Sequence, residues 1–268
     1  MEALLFRLTR RLVDSSALDS NAMPRACPKP SFGDVTQSRI ATLGFSPSNR
    51  EFEDKGIELD GQKRRFPTLG SLGIDEWSAA RPEDLEKIWT SCRDYFLPSG
   101  NPYNLWFKPL DQLLSYTGAS YYEPRGDACH LDLVPYATKC KWAKLDSNSR
   151  SSLLRSTGTV LGELLRDSPV QILVLNGRSV VKGFERMAGI SLQCEVMDHW
   201  RLRQRGRSLE AGRAFTGVVN ALCGIPLGRE LVVIGFSHNI QAMRGVNVTD
   251  VKKSIGHWIG GQISHLQL

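Results

Sequence analysis

Apolar residues at positions 4, 5, 8, 12 and 13 recur at helical spacing, with Arg7, Arg10 and Arg11 turned elsewhere, so residues 2–14 are predicted to form an amphipathic helix. Glu2, Asp14 and the lack of a cleavage-like site favour a helix docked on the domain over a targeting peptide. Residues 15–35, rich in Ser, Pro, Asn and Asp, read as a linker or a long loop. The pattern then changes to short apolar runs at 38–44, 128–134, 170–175 and 230–235. Each run stops at small or polar residues: Gly44 and Ser46, Pro135, Asn176 and Gly177, and Gly235 and Ser237. The third run is almost wholly apolar, which suits a strand covered on both faces. Helices are predicted over 82–96, opened by Pro82-Glu83-Asp84, and over 104–116, 148–167 and 179–187; Thr249-Asp250 caps another to about 259. Residues 193–220 are ambiguous between a hairpin and an excursion, and carry Arg201, Arg203, Arg205, Arg207 and Arg213.

Four β-runs separated by helices predict a three-layer α/β/α fold with a central four-stranded, mainly parallel sheet. The domain is expected over 36–268, preceded by an N-terminal helix and linker over 1–35. In such a sheet ligands bind beyond the carboxyl ends of the strands, so the polar ends should converge on one edge.

Composition adds a few limits. With 268 residues, 41% hydrophobic and 23% charged, the chain can bury a substantial core. No apolar run approaches the ~20 residues needed to cross a membrane, so no membrane partner is expected. Six scattered cysteines form no C-x-x-C pair, and reduced cytoplasmic thiols are expected. The nearest approach to a metal site is Cys129-His130 with Cys140, and neither a metal nor another cofactor is expected. A net charge of +6 suits a polyanionic partner.

The candidate chemistry starts at residues 44–49. Gly44 permits close backbone approach, Pro47 stiffens the turn, and Ser46, Ser48 and Asn49 offer short polar groups. An ordinary strand-to-loop exit is the competing reading. Lys63, Arg64, Arg65, the arginines of 201–213 and Arg244 are candidate phosphate contacts, and their competing reading is a solvated face.

The order of elements, with Gly44-Phe45-Ser46-Pro47-Ser48 after the first strand and a polar loop with a helix after the last, resembles the uracil-DNA glycosylase superfamily over residues 36–260. In that family the first loop reads G-Q-D-P-Y or G-x-N-P-G and holds the water that attacks the sugar. Gly44 and Pro47 match, whereas Ser46 stands where the family has Asp or Asn. The resemblance places Asp132 at the family's base-reading Asn, and His238 at the histidine of its last loop, with Arg244-Gly245 downstream. It implies a metal-independent monomer that hydrolyses the N-glycosidic bond of a base flipped out of DNA.

That chemistry needs a positioned water, negative or dipolar groups near the sugar, and donors near the departing base. Ser46 and Asn49 are candidates to position the water, and Asp132 and His238 to meet the base; Gly44, Phe45, Pro47, Ser48, Glu51, Asn176, Ser237 and Asn239 are candidate substrate contacts. Glu51 and Asp54 are candidate replacements for the carboxylate missing at Ser46, or else solvated loop acids. Phe45, Phe66 and Trp106 are candidates to stack on the base, or else core residues; Ile240 or Met243 is a candidate wedge for the emptied helix position. An ionised Asp only accepts, which favours the exocyclic amine of cytosine over uracil. Normal cytosine cannot be the target, so a hydroxymethylated or glucosylated cytosine is expected, as in defence against phage DNA. Asn101, Tyr103, Asn104 and Trp106 are candidates to bind the added sugar.

Three alternatives stand beside this reading. One is a non-catalytic nucleic-acid-binding domain of the same fold, and another is an ordinary uracil-excision repair enzyme. The third is an unrelated doubly wound enzyme acting on a small nucleotide or sugar, against which the chain lacks G-x-G-x-x-G, a P-loop and G-x-S-x-G.

Overall fold

Each of the four apolar runs forms a strand, and the four pair in parallel. The computed structural model describes residues 1–97, 101, 103–204, 207, 208 and 211–264; Arg205 falls outside them. In chain order the elements are α1 (Glu2–Asp14), α2 (Ser16–Asn21), β1 (Ile40–Gly44), the short strands β2 (Glu53–Asp54) and β3 (Ile57–Glu58), α3 (Leu69–Leu72), α4 (Pro82–Arg93) and α5 (Asn104–Leu114). There follow β4 (Ala128–Asp132), α6 (Ser147–Arg166), β5 (Ile172–Asn176), α7 (Arg178–Ala188), β6 (Gln193–Met197), β7 (Arg203–Gln204), β8 (Arg207–Ser208), β9 (Gly212–Leu222), β10 (Ile225–Phe236) and α8 (Val248–Ile263).

The main sheet has six strands in the order β4-β1-β5-β10-β9-β6. The pairs β4–β1, β1–β5 and β5–β10 are parallel, and β9 runs antiparallel to both β10 and β6. The ambiguous stretch 193–220 therefore supplies most of two further strands, and the sheet is mixed and wider than the four strands expected. Strands β1, β4 and β5 are buried almost throughout, as the apolar runs required. Helices α6 and α7 lie against β9 and β10, while α5 pairs with α8, which also reaches β10. The arrangement is α/β and compatible with three layers.

The N-terminal region is part of this body. Leu4, Leu5 and Leu8 of α1 join the core, and Arg11 donates to Thr159 Oγ1 of α6 at 2.9 Å. Val13, expected on the buried face, is 46% exposed. The segment expected as a linker or a long loop is, after α2, a loop built into the body, with Ala22, Ala26, Cys27, Phe32 and Val35 buried. Its backbone pairs across the chain: Lys29 N–H donates to Pro135 O at 2.7 Å, and Phe32 and His130 exchange hydrogen bonds. Prolines and serines can be buried when distant backbone partners satisfy their neighbours.

Candidate functional site

The ends of β1 and β4 are locked together by a polar chain. Gly44 pairs with Asp132, and the absent side chain of Gly44 leaves the space that Asp132 and His130 occupy. Alternation places His130 and Asp132 on one face of β4, and His130 Nε2 lies 3.6 Å from Asp132 Oδ1. The other ring nitrogen, Nδ1, is 2.6 Å from Thr42 Oγ1, which also meets the Tyr121 hydroxyl. All four side chains are buried. His130 is the partner of Asp132 that sequence reasoning missed, although its two-residue spacing on a strand was a usable signal.

Beside these ends opens a cleft of about 1120 Å³. One wall is the loop after β1, from Ser46 to Arg50, continued by Glu53 and Asp54. The opposite side carries Tyr103 and Trp106 from the start of α5, with Lys141 and Trp142 beyond β4. Among the described residues the Ser46 hydroxyl has no protein partner, whereas Ser48 Oγ is 3.0 Å from the Tyr103 hydroxyl. Asn49 Nδ2 donates to Glu53 Oε1 at 2.9 Å. Trp142 stacks on Phe45 with centroids 4.8 Å apart; Phe45 points toward α7, and the half-buried Trp142 is the ring of the pair that lines the cleft.

A second groove of about 340 Å³ shares Trp106 with the first and is lined by Leu105, Pro109, Ile240, Gln241, Met243, Arg244 and Lys252. The last loop reaches it through Asn176, whose Nδ2 donates to Gln241 Oε1 at 2.8 Å while its Oδ1 accepts from Ile240 N–H at 3.1 Å. Gln241 Nε2 in turn donates to Trp106 O at 3.1 Å. Trp106 also meets the His130 ring edge-on at 5.3 Å. The strand ends thus do meet at one rim, but as two hollows divided by Trp106.

The structure separates the residues expected to act together. Ser46 and Asn49 line the large cleft, with Pro47 and Ser48. Asp132 is not among its lining residues, and its side chain is only 4% exposed. His238 faces the other way: its Nε2 lies 2.8 Å from the Trp200 carbonyl, and Gly212 is kept small beside it. Burial pulls the His238 pKa below 6.5, with the Trp200 hydrogen bond acting in the opposite sense. Ser237 is bound to β9, its Oγ accepting from Arg213 N–H at 2.9 Å. Asn239 caps its own turn by accepting from Gln241 and Ala242 N–H, and it crowds Gly177, whose φ of +102° suits glycine.

Several expected contacts have protein partners of their own. Glu51 is 2% exposed and accepts from Arg65 Nε at 2.6 Å and from the Tyr95 hydroxyl at 2.7 Å. Arg65 lines the cleft with its guanidinium committed to Glu51 and lying 5.2 Å from the Tyr103 ring centroid, so it is a brace more than a phosphate grip. Arg64 pairs with Asp60 and Lys63 lines the outer cleft; Arg244, on the second groove, donates to Met243 O at 2.8 Å. Ile240 and Met243 are 1% and 6% exposed, so neither stands out as a wedge; the side chain standing out beside the second groove is Leu105, 86% exposed. Phe66 is core, as its competing reading held. Below the cleft Lys29 is fully buried, its Nζ 4.0 Å and 4.1 Å from the centroids of Phe66 and Phe32 and without a hydrogen-bond partner.

Among the described residues no three His, Cys, Asp or Glu side chains group as metal ligands, and no helix is long and apolar enough to cross a membrane. No protein-family model matches this chain, and no curated protein is significantly similar to it in sequence.

Proposed function

We propose that the chain is a DNA glycosylase that hydrolyses the N-glycosidic bond of an extruded, altered base, preferring a hydroxymethylated or glucosylated cytosine to uracil. The observation that carries this reading is the composition of the large cleft. A hydroxyl-bearing loop with an unpartnered Ser46 faces aromatic side chains of Tyr103, Trp106 and Trp142, and Arg50, Lys63, Arg64 and Lys141 stand around it. Rings hold a base by stacking, cations hold phosphates, and hydroxyls and amides hold water or sugar. At about 1120 Å³ the cleft is slightly larger than the usual small-molecule site, roomy for a pyrimidine alone and suited to a base with a bulky substituent. In a bacterial host such an enzyme would act against phage DNA.

The second reading, a nucleic-acid-binding domain without catalysis, is favoured by one observation: Asp132 and His238 both lie outside the cleft lining. Duplexes carrying uracil, 5-hydroxymethylcytosine or its glucosylated form separate the two. The expected outcome is alkali-labile abasic sites in the modified-cytosine duplexes. Release of uracil alone would overturn the substrate assignment, and tight binding without abasic sites would establish the non-catalytic reading.

A further inference from the structure

Hydrolysis at a sugar carbon calls for a negative group near the developing positive charge and an acceptor for the proton of the attacking water. Ser46 supplies neither at neutral pH. The carboxylates near the cleft differ sharply in how they are held. Glu51 is spent on Arg65 and Tyr95, and Asp132 is buried beside His130. Asp94 lines the cleft but is engaged by Arg93 through hydrogen bonds of 2.7 Å and 3.1 Å. Asp54 is exposed, with no side chain fixing it among the described residues.

Glu53 differs from all of these. It lines the same cleft as Ser46, and one of its oxygens is fixed at 2.9 Å by Asn49, a residue of the turn that follows β1. Its second oxygen has no protein partner among the described residues. A carboxylate held at one oxygen and open at the other is suited to accept a proton from water in the cleft.

We propose that Glu53 is the catalytic carboxylate that stands in for the acid missing at Ser46, with Asn49 as its positioning residue. This role rests on the glycosylase reading. In the step it serves, the water oxygen bonds to the sugar carbon as the carbon–nitrogen bond breaks, and the bonding pair leaves on the base. The water proton passes to Glu53 Oε2, and the departing base takes a proton from solvent.

The test uses the whole chain on a duplex carrying 5-hydroxymethylcytosine or its glucosylated form. Glu53→Gln keeps an oxygen for Asn49 but loses the charge, and it should lower the single-turnover rate by about 10²–10⁴-fold with DNA affinity little changed. It should also remove the acidic limb of the pH–rate profile, and Glu195→Gln, on the exposed edge strand β6 outside the cleft lining, should behave as wild type. Asn49→Ala should lower the rate with the acidic limb retained. An active wild type with an equally active Glu53→Gln variant would overturn the role of Glu53 alone. A wild type that binds DNA but makes no abasic sites would overturn this role and the glycosylase reading together.

Discussion

A Cβ placed on Gly44 would lie 2.6 Å from Asp132 Oδ1 and 2.9 Å from His130 Nε2, although the three residues are on paired strands with well-formed register. Glycine at this position is therefore demanded by side chains of the neighbouring strand as well as by any ligand. Both are held in the buried polar chain that runs to Thr42, which leaves them little freedom to give way. Gly44→Ala should lower stability by about 1–3 kcal/mol through overpacking, read as a lower denaturation midpoint at constant m value. A midpoint equal to wild type would show that Asp132 is free to swing aside.

Lys29 presents the opposite imbalance, an amine with no hydrogen-bond partner inside a ring of phenylalanines. Burial pulls its pKa below 10.5, against the raising influence of Glu51. Removing the amine should stabilise the fold at neutral pH, and Lys29→Met is expected to gain about 1–3 kcal/mol, the scale of one unsatisfied buried polar group. The unfolded chain holds the proton more firmly than the fold, so the wild type should gain on the variant as pH rises toward 10.5. Thermal melts of both proteins from neutral to alkaline pH test this. A gap that widens with pH would contradict it.

What was legible in the sequence was legible for identifiable reasons. The runs of β1, β4, β5 and β10 were apolar because both faces are covered, and α4 begins at Pro82 where a missing N–H costs nothing. The flanking strand β6 could not be read, since only Met197 of its residues is buried. Residues 15–35 could not be told from a linker, as against a buried loop, because the partners that bury them lie about a hundred positions later, at His130 and Pro135. The site was half legible for the same cause. Reasoning from strand ends reached Ser46, Ser48 and Asn49, and the sugar-contact candidates Asn101, Tyr103 and Trp106 also line the cleft, but Glu53, Lys141 and Trp142, beyond those ends, were not singled out. His238 could not be placed, because the Trp200 carbonyl that holds it gives no side-chain signal.

His238 itself makes a prediction about acid stability. Its folded pKa is depressed by burial, so its contribution to stability is complete above about 6.5 and is lost as pH falls toward the folded value. His238→Gln should therefore flatten the fall in melting temperature between neutral pH and the onset of carboxylate titration near pH 5. Equal slopes for the two proteins would show that the ring titrates as it does in solvent.

The second groove tests the DNA partner independently of catalysis. Arg244 and Lys252 line it without an acidic residue, and the pKa of Lys252 is lowered by burial and by the neighbouring Arg244, as expected of two cations held close together. Such a pair is relieved by a phosphate. Plots of log affinity for duplex DNA against log salt should lose about 0.9 of slope for each cation removed by Arg244→Ala and Lys252→Ala. Arg166→Ala, at the far end of the sheet beside the start of β5, should leave the slope unchanged. Slopes that fall equally for all three variants would mean that DNA is held by net charge rather than at this rim. A slope unaffected by the pair would exclude the groove from the interface.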